Sequence, residues 1–190
     1  GPQPDTLKVS DLGLHPTRPD WSTGFDAVWT PGEAGANARL KAFLDGPVDA
    51  YPDDRDLPGK EDGTSGLSPH LRFGEIGPAQ IWRATIAAME AGKIKDAGGW
   101  KFLSEVVWRE FSYVLLYYRP DLADENYNGD FDHMPWRTDE DALKAWQRGQ
   151  TGYPIVDAGM RQLWETGWMH NRVRMIVASF LTKHLLLHWR

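Results

Sequence analysis

Residues 152–190 constrain this chain most. The stretch opens Gly152-Tyr-Pro-Ile-Val-Asp157-Ala-Gly-Met-Arg161 and continues through Gly167-Trp-Met-His-Asn171-Arg172-Val-Arg174-Met175. It ends on a long apolar segment that closes at His188-Trp189-Arg190. Arg161, His170, Asn171, Arg172, Arg174 and several tryptophans are set among aliphatic residues. A helix has no need of so many polar groups beside its buried face. Where they occur, they pair with one another or grip something polar. By pattern the last helix is still running at Arg190, which points to a piece of a larger protein.

A length of 190 residues allows one domain, with or without a leader. The best candidate for a membrane span, Val173 to Leu187, is interrupted by Arg174, Thr182, Lys183 and His184, so no membrane is expected. No cationic start precedes an apolar core, so no signal peptide is visible. The absence of cysteine excludes disulfides and thiolate metal sites and fits a cytoplasmic protein. A net charge of −6 argues against a general nucleic-acid binder. The acids, however, cluster at 45–62 and 121–141, and 161–190 is locally basic, so a basic groove stays open. Ten tryptophans fit either core packing, stacking on a flat ligand, or electron transfer between indoles.

Residues 1–29 hold prolines, Asp and Gly with no sustained period and read as a linker or leader. Thr30-Pro31-Gly32-Glu33 has the form of a capping box, with Thr30 as N-cap of a helix to about Leu44. Residues 46–66 read as a polar loop, followed by a short helical turn with Ser68 as its cap. Gly77-Pro78 opens a further helix that ends at Gly92. Another is expected over about Trp100 to Tyr118, stopped by Arg119-Pro120. Thr138 to Asp141 cap a helix through Trp146, Asp157 caps one closed by Gly167, and the last begins near His170. No alternating pattern lasts long enough for a strand. The expected class is all-α, an irregular helical cluster.

The 100–118 helix places Leu103, Val106, Val107, Val114 and Leu115 on a core face. Phe102, Glu105, Trp108, Arg109 and Ser112 form a second face, with Glu105 and Arg109 spaced as an ion pair. The loop Gly63-Thr64-Ser65-Gly66-Leu67-Ser68 is either an ordinary turn or a seat for a phosphate. His184 and His188 have helical metal-ligand spacing but no carboxylate beside them, so no metal is expected.

In this order the motifs resemble the flavin-binding domain of the photolyase/cryptochrome family, nearest to class I cyclobutane-dimer photolyases. They are Tyr51 with Thr64-Ser65-Gly66-Leu67-Ser68, Phe102-Leu-Ser-Glu105-Val-Val-Trp108-Arg109, Gly152 to Arg161, Gly167 to Met175, and Trp189-Arg190. The resemblance implies FAD held by Tyr51, Thr64, Ser65, Gly66, Leu67, Ser68, Phe102, Glu105, Arg109, Asn171 and Arg174. It implies a UV-damaged DNA substrate whose pyrimidine dimer meets Glu105, Trp108, Asn171 and Met175. Arg55 and Arg172 would take DNA phosphates, with Trp108 stacking on the flipped bases. Trp136 and Trp189 would carry electrons toward the flavin.

The same resemblance implies that 30–190 is the N-terminal part of the helical FAD-binding domain. Residues 1–29 would lead in from an α/β domain outside this chain, where a folate- or deazaflavin-type antenna would sit. A monomeric parent protein is expected. The fragment alone would be inactive, bind FAD weakly or not at all, and expose an apolar face on 170–190. Two alternatives remain at this stage. One is a cryptochrome-type photoreceptor without repair, which tends to lack Trp108, Asn171 and Met175. The other is a flavin-free, Trp-rich helical binding module.

Overall fold

A computed structural model describes residues 6–190. Its helices are α1 (Glu33–Leu44), α2 (Tyr51–Asp54), α3 (Ser68–Phe73), α4 (Pro78–Glu90), α5 (Asp96–Tyr118), α6 (Glu140–Gln147), α7 (Pro154–Thr166) and α8 (Asn171–Ser179). Short 3-10 turns connect several of them. The expected all-α class holds. Among the described residues the β structure is one isolated parallel bridge, Arg137 with Leu187. No described helix is long and apolar enough to cross a membrane.

Two apolar clusters organise the chain. The first gathers Ala36, Leu40 and Phe43 of α1, Val48, Tyr51, Ile81 of α4, and Phe102 and Val106 of α5. The second joins Val156 and Met160 of α7 to Val173, Val177 and Phe180 at the far end of the chain. Trp29 is pinned to the end of α7, because its Nε1 donates to the Thr166 carbonyl at 2.7 Å. Burial at roughly 25 cal/mol per Å² of apolar surface is what holds these helices, whose own propensities are mixed.

Several boundaries differ from the sequence reading, each for a tertiary reason. Thr30 does not cap α1; the cap position is Gly32, at φ 96°, and its N–H donates to Glu75 Oε1 at 2.7 Å. A distant carboxylate replaces the local hydroxyl. The supposed loop 46–66 contains a 3-10 turn, Pro47–Ala50, and all of α2. Of its apolar side chains only Val48 and Tyr51 are buried, too few to show a period. Ser68 is the first residue of α3 and Leu67 holds the cap position.

Helix α5 begins four residues before Trp100, at Asp96, and includes Gly98 and Gly99. A Cβ at Gly98 would fall 2.1 Å from the Val48 carbonyl oxygen, so these glycines mark a close approach, not a loop. On α5, Phe102 joins Leu103 and Val106 in the core, whereas Val107 and Val114 are exposed. Asp157 lies inside α7, whose cap position is Tyr153. Its carboxylate instead accepts from Thr151 N (2.8 Å), Thr151 Oγ1 (2.6 Å) and Gly152 N (2.9 Å).

The last helix does not run to Arg190. It passes at Phe180–His184 into a π-helical turn, and Leu186 at φ 55° turns the chain away. Leu181 and Leu187 are buried, whereas Met175, Ile176 and Trp189 are exposed, so the expected apolar face on 170–190 is covered only in part. Further exposed apolar surface lies on α5, at Trp108, Phe111, Val114, Leu116 and Tyr117.

Candidate functional site

Helix α5 carries the site. Its buried Phe102 ring lies 4.9 Å from Phe43 and 5.9 Å from Tyr51, with Phe43 and Tyr51 edge to face at 5.5 Å. This aromatic triad fixes the start of α2 against α5. Burial pushes the Tyr51 hydroxyl up to about 12, so it stays protonated.

One turn further along α5, Glu105 pairs with Arg55 at the end of α2 and with Lys101 Nζ at 3.1 Å. Both cations contact Oε1. Burial pushes the Glu105 carboxyl up, but Arg55 and Lys101 outweigh it and hold the group below the usual carboxylate range. Arg55 also lies over the Tyr51 ring, 5.4 Å from its centroid.

The expected Glu105–Arg109 pair does not form. Arg109 instead binds Glu110 Oε1 at 2.6 Å, Tyr113 Oη at 3.1 Å and the Leu71 carbonyl at 3.4 Å. Its geometry follows from α3, which presents that carbonyl across the cleft.

Tyr51, Ser65, Leu67, Ser68, Phe102, Glu105 and Arg109 line one cleft of about 400 Å³. The sequence reading named each of them. It missed Leu71, Arg72, Ile81, Val106 and Tyr113 on the same walls. Val106 and Tyr113 could have been found from α5 periodicity, since they lie four residues beyond Phe102 and Arg109. Arg72 and Ile81 carry no such local signal. Thr64 and Gly66 share the loop but do not line the cleft. Gly66 has φ 62°, and a Cβ there would lie 2.6 Å from Arg39 Nη1. A larger cleft, about 800 Å³, lies elsewhere, between Trp21 and α7, and contains none of the expected site residues.

The remaining residues gather in other places. On α8, Asn171 Nδ2 is 4.0 Å from Met175 Sδ and Arg172 Nη1 is 3.4 Å from it. Arg172 also binds Asp56, with Nε at 2.9 Å from Oδ1. Arg174 Nη2 donates to the Met169 carbonyl at 3.3 Å. Buried His170 caps α8 by accepting the Arg172 N–H on Nδ1 at 3.1 Å, and its Nε2 finds no hydrogen-bond partner among the described residues. Trp108 stands on the surface, 61% exposed, edge-on to Phe111. Trp136 and Trp189 both pack on His188, at 4.8 and 6.0 Å between ring centroids. The bridge between Arg137 and Leu187 sets Trp136 and His188 side by side.

The cleft suits one end of an anionic aromatic ligand. Arg109, Arg72 and two serine hydroxyls offer donors, Leu67, Ile81 and Phe102 offer an apolar wall, and the one carboxylate is already neutralised. Among the described residues no cluster of His, Asp or Glu could hold a metal ion.

A sequence model described as the FAD binding domain of DNA photolyase matches residues 102–190. The deoxyribodipyrimidine photo-lyase of Agrobacterium fabrum is 54% identical over 187 residues, 98% of this chain and 38% of that protein. The crystal structure of a bacterial class III photolyase from Agrobacterium tumefaciens superposes with a TM-score of 0.91 at 54% identity, again over 98% of this chain and 38% of that one. That neighbour is a class III photolyase, whereas the motifs of this chain resemble class I most. A Synechocystis cryptochrome superposes at 0.73 with 31% identity, over 86% of this chain and 34% of its own.

Proposed function

The chain belongs to the photolyase/cryptochrome family, and on that premise we propose that the protein uses FAD and blue light to split cyclobutane pyrimidine dimers in DNA. The observation that carries this reading is the cleft where Tyr51, Phe102, Glu105 and Arg109 converge with Ser65 and Ser68. Its relatives named photo-lyase support the reading, while the chain spans 38% of the Agrobacterium protein.

FAD, when bound, supplies the light-driven electron. Everything else falls to side chains. Arg109, Ser65 and Ser68 are suited to a diphosphate, with Thr64 and Gly66 shaping their loop. Phe102 and Leu67 keep water from the apolar wall. Glu105, held ionised by Arg55 and Lys101, can accept hydrogen bonds from the N–H groups of flipped-out bases. Trp108 is free to stack on those bases, and Met175 and Asn171 face the same task from α8. Arg55 and Arg172 neutralise backbone phosphates, and Arg174 steadies the loop before α8 through Met169. Trp136 and Trp189 form an electron path with His188 between them. An antenna chromophore outside this chain and a monomeric state belong to the same reading.

The test uses the protein expressed from its complete gene. Its visible spectrum should show flavin, and blue light should remove thymine dimers from an oligonucleotide. Glu105→Ala or Trp108→Ala should lower repair several-fold or more. Flavin that photoreduces without repair would move the protein to the cryptochrome branch, and absence of flavin would sink both readings.

A further inference from the structure

Asp56 stands between the two arginines that the proposed reading gives to DNA phosphates. Its Oδ1 accepts from Arg172 Nε at 2.9 Å and lies 2.8 Å from Arg172 Nη2. The same oxygen is 3.5 Å from Arg55 Nε. Arg55 in turn pairs with Glu105, which Lys101 also reaches. A single run of charges therefore joins the end of α2, the middle of α5 and the start of α8.

The run is open to water at both ends, at Lys101 (42% exposed) and at Asp56 and Arg172, and closed in the middle. The Arg55 side chain is 14% exposed, whereas Asp56 is 46% and Arg172 40% exposed. The side-on edge of the Arg172 fork is taken, and its Nη1 rests against Met175. The Arg172 main chain is fixed as well, because its N–H donates to buried His170. Lys101, Arg55 and Arg172 are opposed by Glu105 and Asp56, so the locus carries one net positive charge, not two or three.

We propose that Asp56 is a specificity-determining residue for DNA: it screens Arg55 and Arg172 from undamaged backbone and positions Arg172 for the lesion complex. The inference rests on the proposed DNA-binding reading. Its logic is asymmetric. A carboxylate beside two arginines weakens every complex that depends on charge alone, and non-specific binding is of that kind. A fixed guanidinium helps only where one geometry is used, which is the complex with a flipped dimer. Removing the carboxylate therefore adds charge to both complexes but removes order from one.

The experiment compares wild type and Asp56→Asn, expressed from the complete gene, in the dark. Fluorescence anisotropy is followed on an undamaged duplex and on the same duplex carrying one thymine dimer, across a salt series. The variant should bind undamaged duplex several-fold more tightly at low salt. Its log–log salt slope should steepen by about 0.9, the release expected for one further phosphate contact. Its preference for the dimer should fall by a similar factor. In an Arg172→Ala background the same change should give a much smaller gain. Equal weakening on both DNAs, or unchanged affinity for undamaged duplex, overturns the proposal.

Should Asp56→Asn fail to fold, Asp56→Glu keeps the charge and moves it. That variant should lose dimer affinity alone, and equal loss on both duplexes overturns the proposal. A wild type with no preference for the dimer would instead refute the repair reading, while the undamaged-duplex arm would still decide whether Asp56 screens the arginines.

Discussion

Arg55 and Glu105, 50 residues apart in sequence, share an ion pair that ties the end of α2 to the middle of α5. The pair has a measurable signature. The Glu105 carboxyl lies below its ordinary value of 4.5 despite its burial, because Arg55 and Lys101 stabilise the charge. A depressed folded value means that the pair's stabilisation is present above pH 4.5 and is lost as the pH falls through the folded value. Arg55→Met should raise the Glu105 carboxyl, read by carbon NMR titration, and cost roughly 1–3 kcal/mol at neutral pH. A Glu105 titration unchanged in Arg55→Met would refute the pairing.

Trp108 and Phe102 lie on the same helix and should behave oppositely. Trp108 is 61% exposed and Phe102 4% exposed. Trp108→Ala should therefore leave the unfolding free energy from urea melts within about 0.5 kcal/mol of wild type. It should cost roughly 1–3 kcal/mol in affinity for dimer-containing DNA through lost stacking. Phe102→Ala should cost about 3–5 kcal/mol of stability, since it empties a triad shared with Phe43 and Tyr51. Equal stability losses in the two variants would show Trp108 to be a packing residue.

Gly98 offers a test of how closely the 3-10 turn Pro47–Ala50 approaches α5. Glycine inside a helix costs about 1 kcal/mol relative to alanine, so Gly98→Ala would stabilise an isolated α5. Here the new Cβ would meet the Val48 carbonyl at 2.1 Å and its carbon at 2.9 Å, both main-chain atoms. Backbone cannot rotate away as a side chain can, so overpacking of roughly 1–3 kcal/mol should win. The variant should melt below wild type by several degrees, and a gain in melting temperature would show that α5 does not press on Val48.

The difference between Phe102 and Asp56 explains what could be read from the chain. Phe102, Glu105 and Arg109 were legible because one helix carries them at fixed spacing inside recognisable motifs. The start of α5 was not, because Asp96-Ala-Gly-Gly reads as a loop until Val48 is seen lying against Gly98. Arg55 was assigned a role by resemblance, but its pairing with Glu105 comes from the fold. Asp56 had no local signal at all, since its partner Arg172 lies 116 residues away. Likewise the chain end reads as helix on composition, and only the bridge to Arg137 and the turn at Leu186 reveal otherwise.

His170 gives the last prediction, because its two ring nitrogens have different fates. Nδ1 accepts the Arg172 N–H and caps α8, so the proton of the neutral ring sits on Nε2, which is buried with no hydrogen-bond partner among the described residues. Burial is the main cause holding the imidazole below its ordinary value of 6.5. Protonation would place a hydrogen on the capping nitrogen and a charge in the interior. A depressed histidine value means the unfolded chain binds the extra proton first. The contribution is complete above pH 6.5 and is lost as the pH falls toward the folded value. His170→Asn keeps a capping acceptor but cannot titrate. Its stability should therefore vary less with pH below 6.5 than that of wild type, in paired urea melts. His170→Ala should lose about 1 kcal/mol for the cap, and more for the cavity. Identical pH dependence in wild type and His170→Asn would show that another group governs the acid limb.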